Sequence, residues 1–361
     1  MARFPYHVRP ETAVLTRGFD PQLSVGSARP PVYRTSTYVF SSPEAAERAF
    51  GIVLGKIRPL NGEAPDLIYA RLNHPNAQIL EDQLVPLERG ATAAAVFNSG
   101  MAAIFTVIMG FLDRGRSLLY TQPLYGGTQH LVHQVLEPLG FKAKAVRAGD
   151  TDGLTRAIEQ SDDLGLALIE TPSNPTLVMT DIATAAEAVR RHPNRPLLAI
   201  DNTLLGPTFQ HPLVHRADLV IYSATKFLGG FSDLLAGAVL AVDPDLIQRL
   251  RGMRALFGNI LQADECWMLN SRLSTVRLRM DRQSKNAQRI AEQVAGHSRV
   301  QRVFYPSLFT DREQIRIRQA FWTLGNESFS WPFLHGPVLN PLRTHVTFPC
   351  IKCGNWGQRT F

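Results

Sequence analysis

From about residue 76 the chain alternates two kinds of apolar pattern. NAQILEDQLVPLE places its apolar positions at helical spacing, AAAVFNSG is a short apolar run ending in small polar residues, and MAAIFTVIMGFL is apolar all round, as in a buried helix. SLLYTQPLYG, LALIETPSNP, PLLAIDNT and ADLVIYSATK then repeat one theme, in which four or five apolar residues run into a polar, turn-forming end. Continuous apolar strands between helical segments predict an α/β fold with a mainly parallel sheet and helices on both faces. In such sheets ligands sit beyond the carboxyl ends of the strands, where these polar residues fall. One long helix is predicted over about 263–295, with RVQRVFYP as the first strand of a smaller unit.

Residues 1–75 are loop-rich, with the extended run VYRTSTYVF and the insertion-like GKIRPLNGEAPD, and cannot close a core alone. The expected organisation is therefore an arm (1–75), a large domain (76–275) and a small C-terminal α/β domain (276–361). After about residue 320 the pattern breaks. Residues 321–361 carry three of the four tryptophans, two of the three cysteines and eight aromatics, with neither helical nor strand periodicity. The expectation is a small domain that is truncated or frame-shifted.

Composition narrows the class. A chain of 361 residues that is 45% hydrophobic and 19% charged can bury a large core, which excludes disordered and fibrous classes. No apolar run reaches the roughly 18–20 residues of a spanning helix, and Arg3, Pro5, His7 and Arg9 interrupt the N-terminus, so a cytoplasmic protein without membrane contact is expected. Cys266, Cys350 and Cys353 make no disulfide framework, in keeping with a reducing compartment. The net charge of +7 is local: residues 1–270 hold 24 basic against 26 acidic groups, and residues 271–361 hold 14 against 5. A solvated helix face explains that excess, and nucleic acid is not an expected partner.

The candidate chemistry gathers at the strand ends. Lys226, in YSATKFLGG, lies just past a strand among Ser223, Thr225 and glycines. Alone, the segment fits a surface lysine better than a Schiff-base lysine with a lowered pKa. Asp201 shifts the balance, because a carboxylate ending PLLAID can pair with a protonated pyridine nitrogen. Ser99, Gly100 and Met101 open a helix, where free N–H groups and the dipole favour a phosphate, and Ser223 and Thr225 add hydroxyls. Tyr125 in PLYGG can stack on an aromatic ring or be a turn residue; Asn174 in ETPSNP can donate to a ring oxygen or shape a turn.

With YARLNHPN, NSGMAAI, PLYGGT, ETPSNPTL, DNT and QHPLVHRADLVIYSATKFLGGFSDLLAG, the chain resembles the trans-sulfuration (Cys/Met metabolism) family of pyridoxal-phosphate enzymes. That group contains cystathionine β- and γ-lyases, methionine γ-lyase, cystathionine γ-synthase and O-acylhomoserine sulfhydrylases. The resemblance implies an aspartate-aminotransferase-like, fold-type-I enzyme with pyridoxal 5'-phosphate as cofactor. It also implies Lys226 as the covalent attachment and proton carrier, Asp201 on the pyridine nitrogen, Tyr125 stacked on the ring and acting on the leaving group, and Asn174 on the ring hydroxyl. Ser99, Gly100, Met101, Ser223 and Thr225 would hold the phosphate. Tyr69 and Arg71 would reach a neighbouring subunit's cofactor, which implies a homodimer or homotetramer with intersubunit sites. The expected activity is a carbon–sulfur lyase performing γ- or β-elimination on cystathionine, methionine or a related amino acid. A γ-replacement enzyme is the alternative, and an impaired remnant a further one.

Departures shape those expectations. Gly127 stands where methionine γ-lyases usually carry Cys, which points away from a methionine specialist, and Phe231 stands where many members have His. The family's arginine for the substrate α-carboxylate is not found after Gln319; Arg343 has the wrong context. The CxxC of Cys350 and Cys353, the pair His211 and His215, and His130 with His133 lack the partners of a metal site. Asn326 would be a glycosylation site only in a secreted chain. No dinucleotide or P-loop motif is present.

Overall fold

A computed structural model describes residues 8–53, 55–60, 66–322 and 345–347. Its centre is a seven-stranded sheet of β1 (Ala93–Phe97), β2 (Ser117–Gln122), β3 (Lys142–Arg147), β4 (Leu164–Glu170), β5 (Leu197–Asp201), β6 (Leu219–Tyr222) and β7 (Gly237–Ala241). The spatial order is β1-β7-β6-β5-β4-β2-β3. All neighbours are parallel except β7, which runs antiparallel to both β1 and β6. Two reversals cancel, so β1 ends on the same edge as β2, β4, β5 and β6.

Alternation along the strands feeds two opposed cores. Phe97, Leu118, Leu168 and Ile221 pack with Ile104, Val107 and Leu250 from the helices Gly100–Phe111 and Pro244–Phe257. On the opposite face Ala167, Ile169, Leu198 and Ile200 meet Leu154, Ile158, Ala185 and Val189 from the helices Thr151–Glu159 and Ile182–Arg191. Farther along that face, Val96, Val220 and Leu240 pack against Leu80, Leu269 and Met280. The mainly parallel, doubly covered sheet is as the pattern requires.

The helix expected over 263–295 is two helices, Ala263–Leu273 and Val276–Ala295. At the break the Thr275 hydroxyl donates to the Arg272 carbonyl at 3.2 Å, giving the backbone a competing partner. β8 (Arg302–Phe304), inside RVQRVFYP, pairs in parallel with β9 (His345–Thr347). Asn326, Arg343, Cys350 and Cys353, and with them nearly all of the stretch on which truncation or frame shift was expected, lie outside the described residues. Among the described residues no helix is long and apolar enough to cross a membrane.

The open edge of β1 is covered by charge rather than by another strand. Glu81 accepts from Val96 N–H at 3.0 Å and pairs with Arg254 at 2.6 Å and Arg251 at 2.8 Å. The two guanidinium groups return to the Val96 and Ala94 carbonyls, each at 2.8 Å. Ladder groups that would otherwise template an edge pairing are thereby satisfied.

Beside this cluster, His74 caps the helix Pro75–Leu84. Its Nδ1 accepts from Ala77 N–H at 3.2 Å, so Nε2 holds the proton and donates to the Leu261 carbonyl at 2.9 Å. Burial pushes its pKa below the ordinary value, with Arg254 adding to the shift. A depressed histidine contributes stability above the unfolded pKa of about 6.5 that is lost as pH falls, because the unfolded chain then binds the proton more readily. We predict that thermal midpoints fall from pH 7 to pH 5 and that His74→Asn, which keeps a cap acceptor, flattens this dependence. His215, also pushed down by burial, leaves a residual slope; an unchanged slope in His74→Asn would remove His74 from this role.

Candidate active site

Every polar strand end singled out in the sequence lies on the one edge where β1, β2, β4, β5 and β6 terminate. The turn after β1 enters the helix Gly100–Phe111, where Ser99 caps: its hydroxyl accepts from Ala102 N–H at 3.1 Å and its carbonyl from Ala103 N–H at 3.1 Å. The helix offers no acceptor for the N–H groups of Gly100 and Met101, which remain for an anion. The turn after β6 closes against the same point. A Cβ on Gly100 would lie 2.7 Å from Ser223 Cβ, so only glycine lets the two turns form one cup.

Asp201 ends β5. Both of its hydrogen bonds among the described residues fall on Oδ1, from Thr203 N–H at 3.0 Å and the Thr203 hydroxyl at 2.6 Å. Oδ2 is left for another donor. Burial raises the Asp201 pKa despite those two bonds. A carboxyl so placed gains from a cationic N–H at Oδ2, the group that a pyridinium presents.

Thr203 went unassigned in the sequence. Its hydroxyl donates to Asp201 and accepts from Ser223 N–H at 2.8 Å, so one oxygen ties the β5 end to the cup. The signal was present as the hydroxyl two residues after the strand-ending Asp in DNT. Thr225 is already engaged: its hydroxyl donates to the Ala236 carbonyl at 3.2 Å and accepts from Ala236 N–H at 2.9 Å, which pins the turn that carries Lys226. Lys226 itself is half-buried in that turn, with Gly230 N–H on its carbonyl at 2.7 Å.

Tyr125 and Asn174 come from the turns after β2 and β4, and one side chain holds both backbones. Glu170 accepts Tyr125 N–H at 2.6 Å and Asn174 N–H at 2.9 Å. The Tyr125 side chain is partly exposed, and a Cβ on Gly127 would lie 2.5 Å from its Cε1 and 3.2 Å from Met101 Sδ. Gly127, Tyr125 and Met101 therefore form one wall. Tyr69 and Arg71 belong elsewhere. Arg71 donates to the Ala255 carbonyl at 2.6 Å and lies 5.5 Å over the Tyr69 ring. Among the described residues no hydrogen bond or ring contact ties either to Gly100, Asp201, Ser223 or Thr225.

Two of the histidine candidates have neighbours within the protein. His133 bonds Tyr120 and Glu137, and His211 lies 3.5 Å from Glu88. No group of three or more potential metal ligands forms among the described residues.

The family described as Cys/Met metabolism PLP-dependent enzyme matches residues 11–326. The chain belongs to that family. Its members depend on pyridoxal phosphate, and the residues present fit the group: an anion cup, an open carboxylate oxygen for a ring nitrogen, a lysine beside them and an aromatic wall. Cystathionine beta-lyase MetC of Bacillus subtilis (strain 168) is 38% identical over 240 residues, 66% of this chain and 60% of that protein. L-methionine gamma-lyase of Pseudomonas putida is 33% identical over 310 residues, 85% of this chain and 74% of that one. The crystal structure of cystathionine gamma-lyase from Lactobacillus plantarum complexed with L-serine superposes with a TM-score of 0.76 at 29% identity, covering 87% of this chain and 75% of that one.

Thr203 gives the site a direct test. Thr203→Val removes one of the two donors to Asp201 and the acceptor of Ser223 N–H, and hydrogen bonds to charged groups contribute about 1.5–3 kcal/mol. We predict that apoprotein carrying Thr203→Val binds pyridoxal phosphate roughly 10- to 100-fold more weakly in an absorbance titration and that Thr203→Ser restores most of the affinity. Equal affinity in Thr203→Val would show that the link is dispensable.

Proposed function

We propose that the chain is a carbon–sulfur lyase of sulfur amino-acid metabolism, eliminating at the γ- or β-carbon of cystathionine, methionine or a related amino acid. The observation that carries this reading is Asp201, a buried carboxyl with one oxygen fixed by Thr203 and the other open, on the same strand edge as Lys226. When bound, pyridoxal phosphate supplies an electron sink that makes the substrate's Cα–H acidic. Lys226 would hold the cofactor covalently, and its amine would take the Cα proton and, for loss of a γ-substituent, a Cβ proton, returning protons to carbon after the sulfur has left. Asp201 keeps a proton on the ring nitrogen. Tyr125 covers the ring and gives its hydroxyl proton to the departing sulfur. Water then completes release of an α-keto acid and ammonia.

Tyr69 and Arg71 serve a second subunit in this reading. Arg71 is anchored on its own chain by Ala255, and the arm around it leaves Leu23, Val25 and Val39 almost fully exposed, which is the pattern of a surface that another protomer covers. The protein is then a cytoplasmic homodimer or homotetramer, with an arm over 1–75, a cofactor domain over 76–275 and a small domain beyond.

Borohydride reduction of the yellow holoenzyme should fix the cofactor to Lys226, and Lys226→Ala should lower α-keto acid release on the order of 10³-fold or more. A labelled peptide containing any other lysine would overturn the assignment. Keto acid released without added thiol supports elimination, whereas turnover of an O-acylhomoserine only with thiol would make the chain a γ-replacement enzyme. Normal cofactor binding with no turnover of any amino acid would favour the remnant.

The intersubunit role has its own test. Mixing inactive Lys226→Ala with inactive Arg71→Ala under subunit exchange should recover part of the activity, because some interfaces then pair two intact halves. No recovery after demonstrated exchange would place Arg71 outside the neighbour's site.

A further inference from the structure

Glu170 is the last residue of β4, in ladder register with Asp201 on β5. The two strands thus end in adjacent carboxyls with different employment. Asp201 keeps one oxygen open, whereas Glu170 commits both: Oε2 accepts Tyr125 N–H at 2.6 Å and Oε1 accepts Asn174 N–H at 2.9 Å. Glu170 is 5% exposed. A charged carboxylate buried to that degree is tolerated only when its oxygens are bonded, and bonds from N–H to a charged acceptor are roughly twice as strong as neutral ones. Its own backbone is fixed as well, by Glu170 N–H donating to the Thr121 hydroxyl of β2 at 3.2 Å.

The two amides it holds are not arbitrary. Tyr125 starts the helix Gly126–Leu131 after β2, and Asn174 lies in the turn after β4. The two turns rise from neighbouring strands, and the same carboxylate spans them. Were Glu170 a hydrophobe, both N–H groups would lose a charged acceptor and the two turns would lose their common anchor. The Tyr125 ring lies directly against the turn at Gly127, since a Cβ there would meet it. A small shift of the Tyr125 backbone therefore moves the ring.

We propose that Glu170 is a positioning residue for the cofactor ring, fixing Tyr125 over its face and Asn174 at its edge through their backbone N–H groups. This rests on the reading of Tyr125 and Asn174 as ring contacts. Both of its oxygens accept backbone N–H groups, so it acts through geometry rather than by proton transfer. The substitution that isolates this role is Glu170→Gln, which keeps the shape but turns an NH₂ donor toward one of the two N–H donors.

The experiment titrates apoprotein with pyridoxal phosphate and reads affinity by absorbance and ring orientation by the visible circular dichroism of the bound cofactor. Glu170→Gln should weaken affinity about tenfold or more and reduce the visible ellipticity. In a Tyr125→Ala/Asn174→Ala background the same substitution should change affinity by less than about twofold, because coupled residues are non-additive. If the background variant binds cofactor like wild type, the ring-contact reading falls and the proposal with it. If the background variant is weakened but Glu170→Gln in the native background is not, the site reading stands and the role of Glu170 is overturned; equal losses in both backgrounds overturn it too. Should Glu170→Gln fail to fold, hydrogen exchange of the wild-type apoprotein decides. Tyr125 and Asn174 amides protected about 100-fold over the neighbouring turn residues support the clamp, and unprotected amides overturn it.

Discussion

Inner strands that are covered on both faces cannot leave a charged group in mid-strand, because nothing there would solvate it. Polar side chains are driven to the strand ends, and in this chain the parallel run of β2, β4, β5 and β6, with β1 aligned through the doubly antiparallel β7, collects those ends on one edge. The rest of the site depends on that constraint. Ser99, Tyr125, Glu170, Asp201 and the Ser223–Lys226 turn come from five separate stretches of the chain, each ending or following an apolar strand. Turns of a few residues then suffice to make a cup, a carboxylate and a ring wall meet.

Within that edge the polar groups divide between holding and waiting. Thr203, Thr225 and Glu170 have hydrogen bonds that close on the protein itself, to Asp201 and Ser223, to Ala236, and to Tyr125 and Asn174. Asp201 Oδ2, the N–H groups of Gly100 and Met101 and the Asn174 amide side chain make no hydrogen bond to that framework. Preorganisation of this kind puts the cost of ordering into folding rather than into each binding event. A cofactor then meets donors and acceptors already in place.

The strands, the helices flanking them and the edge that carries the chemistry were legible because a buried parallel sheet writes continuous apolar runs with polar ends. Asp201 stands out in the sequence for the same reason, as a charge closing an apolar run, whereas Lys226 alone reads as a surface lysine and stands out only beside Asp201 and the family motifs. Thr203 and Glu170 do not stand out, although each occupies an equally regular position: a carboxylate closing LALIE mirrors the one closing LLAID, and the residues alone do not say which of the two keeps an oxygen open. The antiparallel course of β7 was invisible for a related reason, since GAVLA is buried on both sides whichever way it runs. The break at Ser274 and Thr275 was missed because two hydroxyl residues fit a helical spacing as well as a turn; what decides is where the Thr275 hydroxyl finds its partner.

Gly127 shows how far a single absent side chain can reach. In sequence it is a departure from the cysteine that methionine-directed members usually carry there. In the structure it is the reason the Tyr125 ring can lie where it does, because a Cβ at that position would meet Cε1 at 2.5 Å, nearer than non-bonded carbon atoms approach. The backbone of Tyr125 cannot retreat from such a contact while Glu170 holds its N–H, and Met101 Sδ, 3.2 Å from the same point, closes the other side. Any residue larger than glycine at 127 must therefore turn the tyrosine ring rather than displace the turn. The residue at 127 and the orientation of the Tyr125 ring are therefore one structural variable.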